Sequence, residues 1–186
     1  MTDSEIIRLY WQRSEPAITA SREQYGSYCH TIAWNILGNA QDSEECVSDT
    51  WLQAWNTIPP HYPRRLAAFL GRITRNLALN RVRDAGTEKR GGGQAALALA
   101  ELEECVPATE NVAQTVEDAE ILRVLERFLR TQPEQKRNIF IRRYWYMTPV
   151  RQLAADYRMS ESKAAALLHR MRMQLRAELE REGIAL

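Results

Sequence analysis

The sequence predicts an all-α protein of two small helical domains: an amino-terminal four-helix unit and a carboxy-terminal four-helix unit with a helix-turn-helix, joined by a flexible linker. Three observations predict it. Apolar residues recur at three- and four-residue spacing along most of the chain, the period of a helix with one buried face. No stretch shows the apolar/polar alternation of a half-buried strand. Charge is distributed in blocks, so the total of +1 at pH 7 conceals the pattern. Residues 1–63 carry three basic and eight acidic side chains, residues 64–90 eight and two, residues 91–120 none and seven, and residues 121–186 fourteen and seven. Two basic blocks separated by an acidic stretch suit two contacts with a polyanion. The 186 residues suffice for two small domains, here 1–90 and 115–186 with 91–114 as linker.

Each element has its own signal. The first helix is expected from about Ser4 to Arg13, with Thr2 and Glu5 as a capping box and Ile6, Ile7, Leu9 and Tyr10 available for burial. The second opens near Glu15-Pro16, where proline suits a first turn, buries Ile18, Tyr25, Cys29, Ile32, Ala33 and Ile36, and stops at Gly38. The third, Asp42 to Trp55, reads as an acidic amphipathic helix capped by Asp42 with Glu45 three residues on. Cys46, Val47, Thr50, Trp51, Ala54 and Trp55 recur at helical spacing, while Glu44, Glu45, Ser48 and Asp49 face away. Of its two tryptophans, Trp51 is the one expected in the core. After the proline-rich turn Asn56 to Pro63 comes a basic helix, Arg64 to Arg83. Its stripe is Leu66, Phe69, Leu70, Ile73 and Leu77, and Arg64, Arg65, Arg72, Arg75, Arg81 and Arg83 lie largely off it. Asn76 and Asn80 sit one turn apart on one side. Arginine fits phosphates and base edges, and asparagine pairs with adenine.

Gly91-Gly92-Gly93 marks a flexible point, Ala95 to Glu104 can form a short helix with Leu97, Leu99 and Leu102 able to dock, and Pro107 breaks it. The second domain starts near Thr115, with Asp118 at capping distance and Leu122, Leu125, Phe128 and Leu129 lining its first helix. Pro133 opens the next, with Ile139, Phe140, Tyr144 and Trp145. Thr148-Pro149 opens a short helix with Val150, Leu153, Ala154 and Tyr157. Arg158-Met159 turn the chain, and Ser160 caps a long last helix with Ala164, Leu167, Leu168, Met171, Leu175 and Leu179 inward. A short helix, a tight turn and a longer helix with serine at its cap is a helix-turn-helix pattern.

The segment Asp42 to Trp55, the segment Phe69-Leu-Gly-Arg-Ile-Thr-Arg-Asn76, the run Arg143 to Tyr146 and the helix from Ser160 to Arg172 together resemble the extracytoplasmic-function sigma factors, small members of the main bacterial sigma family. The resemblance covers nearly the whole chain, with both modules in the family's order. It differs at Phe69, where the family commonly has tryptophan, at Asn80, where it has an acid, and at Arg158, where it has a glycine that permits the turn. Arg158 therefore predicts a different turn geometry. Lys163 is the lone cation at the start of the recognition helix.

The resemblance implies a sigma factor, not an enzyme. Asp42, Glu45, Asp49, Leu52 and an edge of Trp55 would dock on the clamp helices of RNA polymerase core. Arg64, Arg65, Arg72, Arg75 and Arg83 would hold phosphates of the downstream, minus-ten promoter element, with Asn76 and Asn80 reading bases. The turn, through Asn56, His61 and Tyr62, would capture a flipped base. Ser160, Ser162, Lys163, Ala165, Ala166, His169 and Arg170, with Arg151, would face the upstream, minus-thirty-five element. Arg142, Arg143 and Arg172 would sit on phosphates or on the polymerase flap. The family often has a dedicated anti-sigma partner.

Other classes fit less well. A stand-alone helix-turn-helix repressor needs a dimerising or sensing domain, and a helical protein-binding adaptor has no use for the arginine-rich helix. Nucleophile motifs, phosphate loops and paired catalytic carboxylates are lacking, so neither cofactor nor metal is expected. Cys29, Cys46 and Cys105 are odd in number and lack metal-ligand spacing, and His30, His61 and His169 complete no site with them. The first residues lack a basic region followed by an apolar run, and no segment approaches about 18 consecutive apolar residues. The expectation is a cytoplasmic protein with no membrane insertion.

Overall fold

In the computed structural model, which describes residues 1–84, 93–103, 105 and 115–184, every regular element among the described residues is a helix. The chain divides into two units, Met1–Gly93 and Gln94–Leu186.

The amino-terminal unit holds α1 (Asp3–Trp11), α2 (Pro16–Leu37), α3 (Ala40–Thr57) and α4 (Leu66–Asp84). Thr2 and Glu5 form the expected capping box: the Thr2 N–H donates to Glu5 Oε2 at 2.7 Å, and the Glu5 N–H donates to Thr2 Oγ1 at 3.4 Å. Pro16 occupies the first turn of α2. Gly38 ends that helix at φ +64°, the left-handed conformation that glycine adopts without a Cβ penalty. The start of α3 differs from expectation. Asn39, extended at φ −136° and ψ 130°, is the cap and accepts from the Asp42 N–H at 3.2 Å. Asp42 lies in the first turn, where its charge still favours the helix amino terminus. Helix α4 begins at Leu66, leaving Arg64 and Arg65 in the preceding turn. Its amino terminus is tied to α1: Asp3 Oδ2 accepts from the Leu66 N–H at 3.1 Å.

Ile6, Ile7 and Tyr10 of α1 join Cys29, Trp51, Ala54, Ile58, Leu66, Leu70 and Ile73 in one core cluster. Each large apolar side chain buried there contributes about 1.5–3 kcal/mol. Trp51 is 3% exposed, as its place on the α3 stripe predicts, and Trp55 is only half-buried. Several buried polar side chains pair with one another across the unit. Tyr10 Oη and Ser21 Oγ are 2.9 Å apart. Thr50 and Thr74 join hydroxyls at 3.0 Å, and Cys46 Sγ donates to the Thr74 carbonyl, which fixes α3 against α4. Where α2 passes α4, Gly71 leaves room for Tyr28; a Cβ at that position would press into the tyrosine ring. Cys29, Cys46 and Cys105 are buried, reduced thiols, and burial pushes the pKa of Cys29 and of Cys46 up to about 11.

The carboxy-terminal unit holds α5 (Gly93–Glu103), α6 (Thr115–Thr131), α7 (Glu134–Tyr144), α8 (Val150–Asp156) and α9 (Glu161–Arg181). Phe128, Phe140 and Tyr144 form an edge-on aromatic series, with centroids 6.0 and 4.6 Å apart. Among the described side chains of α6, Val124 and Phe128 are buried, four apart, whereas Leu122 falls on the opposite face and is 58% exposed, contrary to expectation. Helix α5 buries Ala95 and Ala98, and Leu97 points outward. Glycines 91 and 92 and Pro107 lie outside the described residues, as do the side chains of Thr115 and Asp118. Among the described residues no helix is long and apolar enough to cross a membrane.

Candidate nucleic-acid interface

Helix α3 presents Asp42, Glu45 and Leu52 outward, with Leu52 59% exposed. Two of its carboxylates already have an intramolecular partner. Arg81 of α4 donates through Nη2 to Asp49 Oδ2 at 2.5 Å and through Nη1 to Glu45 Oε2 at 3.2 Å. The same Nη1 reaches the Asp42 carbonyl at 3.4 Å. The packing of α4 on α3 creates this clasp, which neither helix's own pattern reveals. Trp55 is covered in part by Tyr10, edge-on at 6.2 Å, and by the Arg13 guanidinium 5.5 Å from its ring. Arg13 also donates to the Trp55 carbonyl at 2.6 Å.

On α4, Arg72, Asn76, Asn80 and Arg83 follow at intervals of four, four and three residues and lie on one side of the helix, so they form one stripe. The stripe lies away from Leu66, Leu70 and Ile73. Arg72 lies over the Phe69 ring at 5.9 Å, and Asn80 Oδ1 accepts from Arg83 Nη2. Arg75 sits apart from the stripe: it is half-buried, and that burial lowers its pKa. Arg64, Arg65, Asn56, His61 and Tyr62 are exposed around the turn that leads into α4. His61 Nδ1 lies 3.3 Å from the Thr57 carbonyl, which pins the ring to the end of α3. Tyr62 packs beside Trp11, a residue whose place in the sequence gives no sign of a role at this turn.

In the other unit, α8, the turn Tyr157–Met159 and α9 form a helix-turn-helix hairpin. Ser160 caps α9 by accepting from the Lys163 N–H at 3.2 Å. Arg158 takes φ +52°. The glycine-type turn is therefore kept, contrary to the expectation of a different geometry, and arginine carries the steric cost of the left-handed region. Ser160, Ser162, Lys163, Ala165, Ala166, His169 and Arg170 lie on the open side of α9, and Arg151 is exposed on α8.

Arg143 and Arg172 overturn their expected role. Arg143 is 1% exposed and Arg172 7%. Both turn inward to Glu101 of α5. Arg143 donates to it through Nη2 at 2.8 Å and Nε at 3.2 Å, and Arg172 approaches through Nη1 at 3.5 Å. The Tyr144 hydroxyl donates to Glu101 at 3.0 Å and accepts from Arg172 at 2.7 Å. These arginines hold the unit together and are not presented to phosphate. Arg142 is engaged too, with Asp156 and over the Tyr157 ring at 5.7 Å, clipping α7 to α8. Among the described residues no three His, Cys, Asp or Glu side chains group as a metal site.

Residues 22–88, from within α2 past the end of α4, match the family Sigma-70 region 2. The chain carries a sigma-70 region 2 domain. No curated protein matches the chain significantly. Region 2 supports a sigma-factor role in binding RNA polymerase and recognising the minus-ten promoter element. The sigma-70 family comprises transcription initiation factors, not enzymes. Both the acidic face of α3 and the Arg/Asn stripe of α4 fall inside region 2.

Proposed function

We propose that the chain is a sigma factor of the extracytoplasmic-function group, acting in the cytoplasm with RNA polymerase core. Asp42, Glu45, Asp49, Leu52 and the open edge of Trp55 dock on the clamp helices. The stripe Arg72, Asn76, Asn80 and Arg83 engages the minus-ten element, with Arg64, Arg65 and Arg75 adding positive charge and the two asparagines reading bases. The turn carrying Asn56, His61 and Tyr62 receives a flipped base, whose unstacking costs a few kcal/mol. The hairpin of α8 and α9 enters the major groove of the minus-thirty-five element, with Arg151 and Arg170 on phosphates and Ser160, Ser162, Lys163, Ala165, Ala166 and His169 toward base edges. An anti-sigma partner would act by covering one of these faces.

One observation carries the reading: within region 2, one helix exposes carboxylates and its neighbour presents an unbroken stripe of arginine and asparagine. A stand-alone repressor leaves the acidic face without a role. The test is titration of the purified chain into polymerase core, followed by run-off transcription from a genomic library. Stable association and discrete start sites are expected. Duplex binding without core association would establish the repressor instead, and neither activity would leave the adaptor.

A further inference from the structure

Asn76 and Asn80 share one side of α4, and both are exposed. Their amides are not equivalent. Among the described residues nothing holds the Asn76 side chain. Asn80 is held: its Oδ1 accepts from Arg83 Nη2 at 2.5 Å. Helical side chains lean toward the amino terminus, so an arginine three residues on reaches back over the asparagine. Arg83 also lies in the last turn of α4, where the helix dipole favours a cation. Glu45 and Asp49 of α3 are engaged by Arg81 and not by Arg83, and the side chain of Asp84 lies outside the described residues. The contact fixes which way the Asn80 amide faces. Turned over, it would set donor against donor, because a guanidinium has no acceptor.

An unheld asparagine offers a base an acceptor and a donor side by side, the combination that adenine N6 and N7 require. Asn80 offers mainly donors. Its oxygen keeps a second lone pair, but the charge-assisted bond draws on it, and the guanidinium sets further N–H groups beside the amide. Adenine would bring its own N6 donor against that cation. Guanine brings only acceptors there, O6 and N7.

We propose that Arg83 sets Asn80 as a donor-only reader, so that Asn80 selects guanine where an unheld asparagine selects adenine. The proposal rests on the sigma-factor reading and divides the α4 stripe: Asn76 pairs with adenine, and the Asn80–Arg83 couple pairs with guanine. An acid in place of Asn80 would present acceptors alone; the couple presents the reverse.

Two measurements on the full chain test it. The first reads the couple in the free protein, through the side-chain amide resonances of Asn76 and Asn80 in heteronuclear NMR spectra. Arg83→Met keeps a long side chain and removes its donors. It should move the Asn80 signals and leave those of Asn76 in place; unmoved Asn80 signals would overturn the proposal. The second assembles the chain with polymerase core on promoters randomised across the minus-ten element, and sequences the templates held in competitor-resistant complexes. The wild type should favour guanine at one position by about fivefold or more, and 7-deazaguanine, which lacks the N7 acceptor, should lose that advantage. Arg83→Met should shift the preference at that position to adenine. Asn80→Ala should flatten it, and Asn76→Ala should flatten a different one. A guanine preference that survives Arg83→Met unchanged would overturn the role of the couple. Equal weakening on every sequence with a lower salt slope would mark a phosphate contact and overturn the base assignment. Absence of any complex with core would refute the sigma-factor reading and the base assignment with it, whereas failure confined to the Asn80 and Arg83 variants would refute this proposal alone.

Discussion

Asp49 on α3 and Arg81 on α4 are joined at 2.5 Å, and Arg81 extends the same grip to Glu45 at 3.2 Å. The carboxylates assigned to polymerase docking are thus partly neutralised from within. Their side chains are 48% and 57% exposed, so the pair contributes little to stability, about 0–1 kcal/mol. Arg81→Ala is expected to leave the melting temperature nearly unchanged. It should tighten core association by up to about fivefold, the equivalent of about 1 kcal/mol released to the partner. Charge reversal at Asp42, Glu45 and Asp49 should weaken association while leaving helicity intact. Titration by anisotropy measures both, and unchanged affinity in the reversal variant would remove α3 as the docking helix.

Glu101 governs the second unit. Burial alone would raise its pKa, but hydrogen bonds from Arg143 and Tyr144 and the charges of Arg143 and Arg172 outweigh burial, and the net shift is downward. A carboxylate with a depressed folded-state pKa contributes stability that is fully present above its ordinary value of 4.5 and lost as pH falls through the lower folded value. The carboxy-terminal unit should therefore lose stability below about pH 4.5. Glu101→Gln should cost roughly 3 kcal/mol at pH 7, because it leaves the buried Arg143 without a countercharge, and should flatten the acid limb of the curve. Urea denaturation across pH checks both.

Arg158 holds a backbone conformation that costs an L-residue about 1–2 kcal/mol relative to the right-handed region, and it lies at the surface of the turn. Arg158→Gly removes that cost but adds disorder to the unfolded chain. A net gain of up to about 1 kcal/mol is expected, seen as a higher melting temperature with unchanged helicity. A drop in stability would show that the arginine makes a compensating interaction.

The two regions proposed to contact DNA should separate kinetically. Asn76→Ala with Asn80→Ala should reduce open-complex formation more than initial binding, and a pre-melted bubble should not fully restore it. Complete rescue would mean that the asparagines assist strand separation without reading bases. Lys163→Ala with Arg170→Ala should weaken closed-promoter binding and flatten its salt dependence by about one unit of slope for each phosphate no longer neutralised. Normal closed binding at every salt concentration would exclude α9 as the recognition helix.

Helix positions and the burial of Trp51, Cys29, Ile36, Leu168 and Leu175 are legible in the sequence because a helix repeats its packing every three to four residues, leaving a local signature. Thr2 and Gly38 are legible because caps depend on one or two neighbouring residues. The features that escape the sequence depend on partners distant along the chain. Asn39 displaces Asp42 as the cap because the chain enters α3 three residues earlier, in an extended conformation. Arg143 and Arg172 resemble phosphate ligands in the sequence, since an arginine on an amphipathic helix is normally solvated; a carboxylate 42 and 71 residues away draws them inward. The Arg81 clasp and the Trp11–Tyr62 pair likewise arise only when elements far apart in the chain meet.

The hydrogen bond between Asp3 and Leu66 distinguishes ancestry from autonomy. Homology marks out residues 22–88, yet α4 within that interval has its first free N–H satisfied by a residue before it, and the core includes Ile6, Ile7 and Tyr10 from the same preceding helix. An excised piece trimmed to the homologous borders would begin life with an apolar trough open to water and an uncapped helix carrying its arginines. The matched interval is thus smaller than the packed unit, which also takes in α1 and the first turns of α2.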